Sequence, residues 1–323
     1  MGSTPIPTFP HRKGEGVKKA ICIGSFCPAP GLWVRISLIN GDEGGFSDER
    51  IFKMNSADKA HLEITLPLDN PSIAIRTLIW YCLFMEYIST RGSVPPIASK
   101  KAIIKGIAED NGLYVPSSFP FIGPNPFAAL LQKSYAARAE KVLQLFLTDF
   151  TAAEIRVACK GAYADNFDSP LTAPVQFLDH GTAVLELWHG PTLAFKDIAL
   201  QLMPRLLSMA LQGEQERYKV VILVATSGDT GKAALEGFAD AEGVSLFVFY
   251  PHKGVSEMQR LQMVTQRGGN VGACGVIGNF DDAQTGVKKI FSEPEINGRL
   301  ETFHLRLSSA NSINWGRLAP QVV

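Results

Sequence analysis

Two segments of the chain carry residue types that do chemistry at workable spacing. The first is Leu185-Glu-Leu-Trp-His-Gly-Pro-Thr-Leu-Ala-Phe-Lys-Asp197, where an apolar strand breaks at Gly190-Pro191 and Lys196 stands at the entrance of an amphipathic helix. A lysine there meets the positive end of a helix dipole and lies beside Leu193, Ala194 and Phe195, and both effects disfavour an ammonium. An amine that can be neutral is what Schiff-base chemistry requires. The alternative reading is a surface lysine with its stem laid along apolar neighbours.

The second segment is Val220-Val-Ile-Leu-Val-Ala-Thr-Ser-Gly-Asp-Thr-Gly231, an apolar strand running into a glycine-rich turn that opens a helix. Such a turn presents backbone N–H groups to an anion. Gly231-Lys232 could end a nucleotide-binding P-loop, but Thr226 stands where its first glycine belongs and Ala233 where its Mg²⁺-binding hydroxyl belongs. A purely structural strand-to-helix turn is the other reading.

The elements that must position these residues alternate. Strands are expected at Val175–Asp179, Val184–Trp188, Lys219–Ala225, Val244–Tyr250, Asn270–Ile277 and His304–Leu307. Helices are expected at Asp197–Gln212, Thr230–Asp240, Val255–Gln266 and Asp281–Phe291, with another opening at Ile313. Short loops between them argue for βαβ units on a parallel sheet. Upstream, Tyr87–Ser89 is extended, Ile97–Glu109 is helical, Asp110-Asn-Gly112 turns into Leu113–Val115, and apolar spacing predicts one helix over Phe127–Leu147. Thr151 is placed to cap a helix over Ala152–Ala158. Residues 1–84 differ: Pro5, Pro7 and Pro10 come early, Gly41-Asp-Glu-Gly-Gly45 interrupts, and only short strands at Trp33–Ile39 and His61–Leu66 suggest themselves.

Composition narrows the function classes. Lysine plus arginine and aspartate plus glutamate total 31 each, so no basic footprint for nucleic acid or an anionic membrane exists and a small-molecule partner is expected. The most apolar run, Thr77–Phe84, is well under half of the ~20 residues a membrane-crossing helix needs. Five scattered cysteines lack metal-ligand spacing, so a reduced, cytoplasmic setting and no metal are expected. No clean signal peptide forms at the N-terminus.

In this order the two segments resemble the threonine synthase branch of the fold-type II pyridoxal-phosphate (PLP) enzymes. His189–Asp197 is similar to that family's lysine motif nearly residue for residue, and Ala225–Gly231 to its next motif. Ser89-Thr-Arg-Gly92, Gly112-Leu-Tyr-Val-Pro116, Phe280-Asp-Asp-Ala-Gln284 and Asn311-Ser-Ile-Asn314 follow suit, so the likeness runs from about 85 to 323. It implies an α/β, tryptophan synthase β-like fold. Residues 1–84 are then an extension of unknown role, 85–180 the N-terminal domain, and 181–323 the PLP-binding region.

The resemblance also implies roles. Lys196 would hold PLP covalently and shuttle protons, with Phe195, Ser227, Gly228, Asp229, Thr230 and Gly231 around the cofactor. Thr90, Arg91, His189 and Thr226 would meet the substrate, O-phosphohomoserine, which is converted with water to threonine and phosphate. Asp229 stands where many fold-type II relatives carry asparagine, and a carboxylate beside the cofactor's O3 needs a proton or cation between them. His189 reads equally as a strand-end cap, and Arg91 as a solvated loop residue. The family's phosphate-gripping loop lies beyond Asn314, so the chain reads as C-terminally truncated, its sheet incomplete and its activity impaired. Met85 opens the likeness, and the preceding stretch reads as fused or misassigned. A phospholyase releasing 2-oxobutyrate and an inactive binding fragment are the rival readings; monomer and homodimer both stay open.

Overall fold

The computed structural model describes three strands within residues 1–82, and residues 85–310 and 314–323 beyond them. The chain divides into two compact units, Met1–Cys82 and Leu83–Val323. In the first, β1 (Ile21–Gly24), β2 (Leu32–Ile39) and β3 (Phe46–Met54) form an antiparallel sheet in that order, with Ile23 opposite Ile36 and Val34 opposite Phe52. The strand expected at Trp33–Ile39 is β2, whereas the one expected at His61–Leu66 lies outside the described residues.

The second unit opens with β4 (Tyr87–Ser89), which pairs antiparallel with β5 (Tyr114–Pro116). Between them α1 (Ser99–Lys105) is shorter than the expected helix over Ile97–Glu109. Gly106 takes a positive φ of 70° and returns its N–H to Ala102, which ends the helix in a glycine cap. The single helix expected at Phe127–Leu147 is two, α2 (Pro124–Leu131) and α3 (Tyr135–Phe146). Ser134 breaks it by accepting the Ala137 N–H as an N-cap. Then α4 (Ala152–Tyr163) begins with a full capping box between Thr151 and Glu154.

Beyond an exposed antiparallel pair, β6 (Val175–Phe177) with β7 (Ala183–Leu185), the chain enters its parallel sheet. Strands β8 (Lys219–Ala225), β9 (Val244–Pro251), β10 (Val271–Val276) and β11 (Leu305–Ser308) lie in the order β10-β9-β8-β11, all parallel. Val220, Ile222, Leu246 and Val248 are buried, and each contributes about 1.5–3 kcal/mol by leaving water. Central parallel strands are covered on both faces, which is why β8 is nearly continuous in apolar residues.

The expected helix Asp197–Gln212 is also two pieces, α5 (Asp197–Leu200) and α6 (Met203–Gln212). Pro204 has no N–H for the Leu200 carbonyl, so the ladder cannot run through. That carbonyl instead meets α7 (Asp229–Phe238) at Gly237, where an added Cβ would stand 2.0 Å from it. Helices α8 (Glu257–Val264) and α9 (Phe280–Ser292) fall where expected. Helix α10 (Pro294–Thr302) was not expected: it buries no residue, so it leaves no apolar period. A short α11 (Trp315–Leu318), capped by Asn314, runs into a 3₁₀ turn, Ala319–Val322.

Candidate active site

Two loops meet at the C-terminal end of β8. One is the turn from Thr226 to Gly231, in which the buried Thr226 hydroxyl accepts the N–H groups of Gly228 (3.1 Å) and Gly231 (3.0 Å). Gly228 holds φ at 155°, and the Gln259 side chain of α8 lies where its Cβ would be. Only glycine fits both constraints. The turn delivers Asp229 to the first position of α7, where a carboxylate suits the positive end of the helix.

The other loop carries Lys196, the residue preceding α5. Its Nζ donates to Asp229 Oδ2 at 3.0 Å and lies 4.1 Å from the centre of the Phe195 ring. This contact joins the two motifs, 33 residues apart in sequence. The Lys196 side chain is 15% exposed and Asp229 53%, so the pair sits at the surface of the unit rather than in its core. Beside the lysine amine the Asp229 carboxyl is held below its usual range. The expectation that a long helix acts on Lys196 needs correction. Its helix is a single turn, and the nearest formal charge to the amine is this carboxylate.

Lys196, Phe195, Ala225 and Thr230 line a cleft of about 1050 Å³ that runs between β8, β11 and α9 to the loop after α1. Ser227 is exposed at the turn, and Gly228 and Gly231 are buried in it. Thr226 faces inward, its hydroxyl spent on the turn. The remaining expected site residues do not line this cleft. Thr90 is paired with Leu113 across the β4–β5 end, accepting its N–H at 3.0 Å, and Arg91 is exposed without an ion pair among the described residues. His189 is clasped by two carboxylates, Asp168 at 2.5 Å and Glu186 at 2.8 Å. Glu186 first, then Asp168, raise the imidazole above its ordinary pKa. Residues 311–313 of the Asn311–Asn314 motif lie outside the described residues.

Two residues at the site were missed from sequence. Gln259 makes a long 3.5 Å contact from Nε2 to Asp229 Oδ1. Asp197 is fully buried beside Lys196, its carboxyl raised by that burial. The first is 30 residues from its partner and carries no local signal; the second was in plain view within the lysine motif. Among the described residues no cluster suits a metal ion, and no helix is long and apolar enough to cross a membrane.

A parallel sheet with a lysine and a glycine-rich turn meeting at one strand end defines the class: this unit has the α/β fold of fold-type II PLP-dependent enzymes. Residues 86–163 match the family described as threonine synthase N terminus. Threonine synthase of Pseudomonas aeruginosa is 42% identical over 240 residues, covering 74% of this chain and 50% of that protein. Human threonine synthase-like 1 is 39% identical over 254 residues, covering 73% and 34%. The crystal structure of PLP-bound threonine synthase from Brucella melitensis superposes with a TM-score of 0.67 at 40% identity, over 74% of this chain and 50% of that one. Residues 86–163, then, carry the pattern of that N-terminal family, and the matched stretch as a whole is similar to threonine synthases. The chain spans about half the length of the threonine synthases it matches.

Proposed function

We propose that this chain carries the PLP-anchoring half of a threonine synthase, acting on O-phosphohomoserine and water to give threonine and phosphate. The observation that supports this most is the contact of Asp229 with Lys196, which lines a cleft large enough for a cofactor and an amino acid. The residues fit PLP: a reachable amine, the flat Phe195 ring beside it, and the Thr230 hydroxyl in the same wall. When bound, PLP supplies an electron sink for negative charge at the substrate carbons.

The chain's own residues would divide the remaining work. Lys196 would hold the cofactor through Nζ and is the amine placed to carry protons between neighbouring substrate carbons. The N-terminus of α7, with the exposed Ser227 and the half-buried Thr230 near it, binds the substrate carboxylate. Asp229, 3.0 Å from Lys196 Nζ, would be the carboxylate that stands beside the cofactor. His189, held between Asp168 and Glu186, organises the approach to the lysine loop. Thr90 and Arg91 remain proposed phosphate contacts, Arg91 because its guanidinium is exposed and unpaired among the described residues. The extension 1–84 is proposed as a separate unit from 85–180 and 181–323. Cys159 and Cys274 are free thiols, in keeping with a cytoplasmic setting for a monomer or homodimer.

Threonine synthase-like 1 proteins match as well as threonine synthases do, which keeps elimination to 2-oxobutyrate as a second reading. Incubating the PLP-supplemented chain with O-phosphohomoserine and resolving the products decides between them. Threonine with phosphate supports the synthase; 2-oxobutyrate with ammonia supports the lyase; neither product counts against both.

A further inference from the structure

Asp197 is the most deeply buried carboxylate near the site, with no exposure and no cation against it among the described residues. Both oxygens are nevertheless satisfied, and by one residue. Thr192 donates its backbone N–H to Oδ2 at 2.9 Å and its hydroxyl to Oδ1 at 2.7 Å. The carboxylate thus reaches back five residues and closes a small ring around the segment containing Lys196. The ring is tight. An added Cβ on Gly190 would stand 2.4 Å from the Asp197 Cβ, and Leu193, exposed at its tip, is forced to a positive φ of 59°. A non-glycine residue in that region stores strain, and such strain persists only where surrounding bonds hold it. The hydrogen bonds from Leu193 to Gly190 and from Asp197 to Ala194 complete the hold.

We infer that the Thr192–Asp197 clasp is a positioning device: it fixes the backbone of the lysine loop so that Lys196 Nζ projects to the cleft wall opposite Asp229. Asp197 touches neither Lys196 Nζ nor the cleft and acts only through the loop. A merely structural carboxylate would change how much protein is folded. A positioning one changes the reactivity of Lys196 within folded protein.

This inference rests on the proposed PLP chemistry, and the test separates the two. Full-length protein is incubated with PLP, samples are reduced with borohydride over time, and peptide mass spectrometry gives the rate of modification at Lys196 relative to the exposed surface residue Lys253. Thr192→Val keeps the shape and the backbone N–H but removes the hydroxyl donor. Its Lys196-to-Lys253 ratio should fall about tenfold, the scale one lost buried hydrogen bond can reach, with circular dichroism unchanged. Thr192→Ser should restore the ratio. Asp197→Asn, which turns one acceptor into a donor facing another donor, should lower it too, and it decides the matter if Thr192→Val does not fold. A selective wild type with equally selective Thr192→Val and Asp197→Asn variants overturns the clasp alone. A wild-type ratio near one overturns the functional reading and the clasp's role with it.

Discussion

Replacing Asp229 by asparagine removes one charge and leaves the turn's shape, so it isolates the Lys196–Asp229 ion pair. At 3.0 Å, Coulomb attraction between unit charges is about 1.4 kcal/mol in bulk water and about 5.5 kcal/mol at an effective dielectric constant of 20. Asp229 is 53% exposed, so solvent screening pulls the net value toward the ~0.2–1 kcal/mol of exposed pairs. With a urea m-value of about 2–3 kcal/mol/M, the midpoint should move by no more than about 0.5 M at pH 7. The folded Asp229 pKa is depressed below its ordinary 3.8. Its stabilisation is therefore complete above that value and is lost as pH falls through the folded pKa. Urea unfolding of wild type and Asp229→Asn, from pH 7 down to pH 3 and with and without 1 M salt, should give a gap that narrows as the pH falls below 3.8 and narrows in salt. A loss above about 2 kcal/mol, or one that persists in acid and salt, would refute an exposed, screened pair.

Thr226→Val strips the acceptor from the buried Gly228 N–H and one of two acceptors from the Gly231 N–H, which also donates to the Gly228 carbonyl, and should destabilise the fold by about 1–3 kcal/mol in urea titration, with Thr226→Ser close to wild type. Equal losses in both would show that the methyl, not the hydroxyl, matters. Gly237→Ala drives a Cβ into the Leu200 carbonyl and should cost at least about 1–3 kcal/mol; a neutral result would mean α5 and α7 are not packed as described. His189 gains its partners as the imidazolium, so its folded pKa lies above the ordinary 6.5. Its contribution is full below that value and is lost as pH rises through the folded pKa. The gap between wild type and His189→Gln should therefore shrink from pH 6 toward pH 9, and a gap that widens would contradict the clasp by Asp168 and Glu186.

Much of this site was legible because its signals are local. The β8 run of valine, isoleucine and leucine, the glycines after it, and the lysine after Gly190-Pro191 each follow from backbone needs within a dozen residues. The alternation of strand and helix likewise placed β8 to β11. Helix lengths were read less well. Apolar spacing continues through Pro204 and across residues 132–134, where a missing N–H and a capping serine decide the matter instead. The polar α10 had no period to read. Tertiary partners were the least visible: nothing near Asp229 in sequence points to Gln259, and nothing about His189 announces that two carboxylates from different segments would fill both its nitrogens. Thr226 shows the converse, a hydroxyl in a functional motif that is used up by the turn itself.

The central claim is that the Lys196 amine, at the mouth of the cleft, bonds covalently to PLP. Borohydride reduction of PLP-treated full-length protein, followed by peptide mass spectrometry, tests it directly. The account predicts a single dominant phosphopyridoxyl adduct on Lys196, absent from Lys196→Ala. An unmodified Lys196 peptide, or adducts spread evenly over surface lysines, would contradict it.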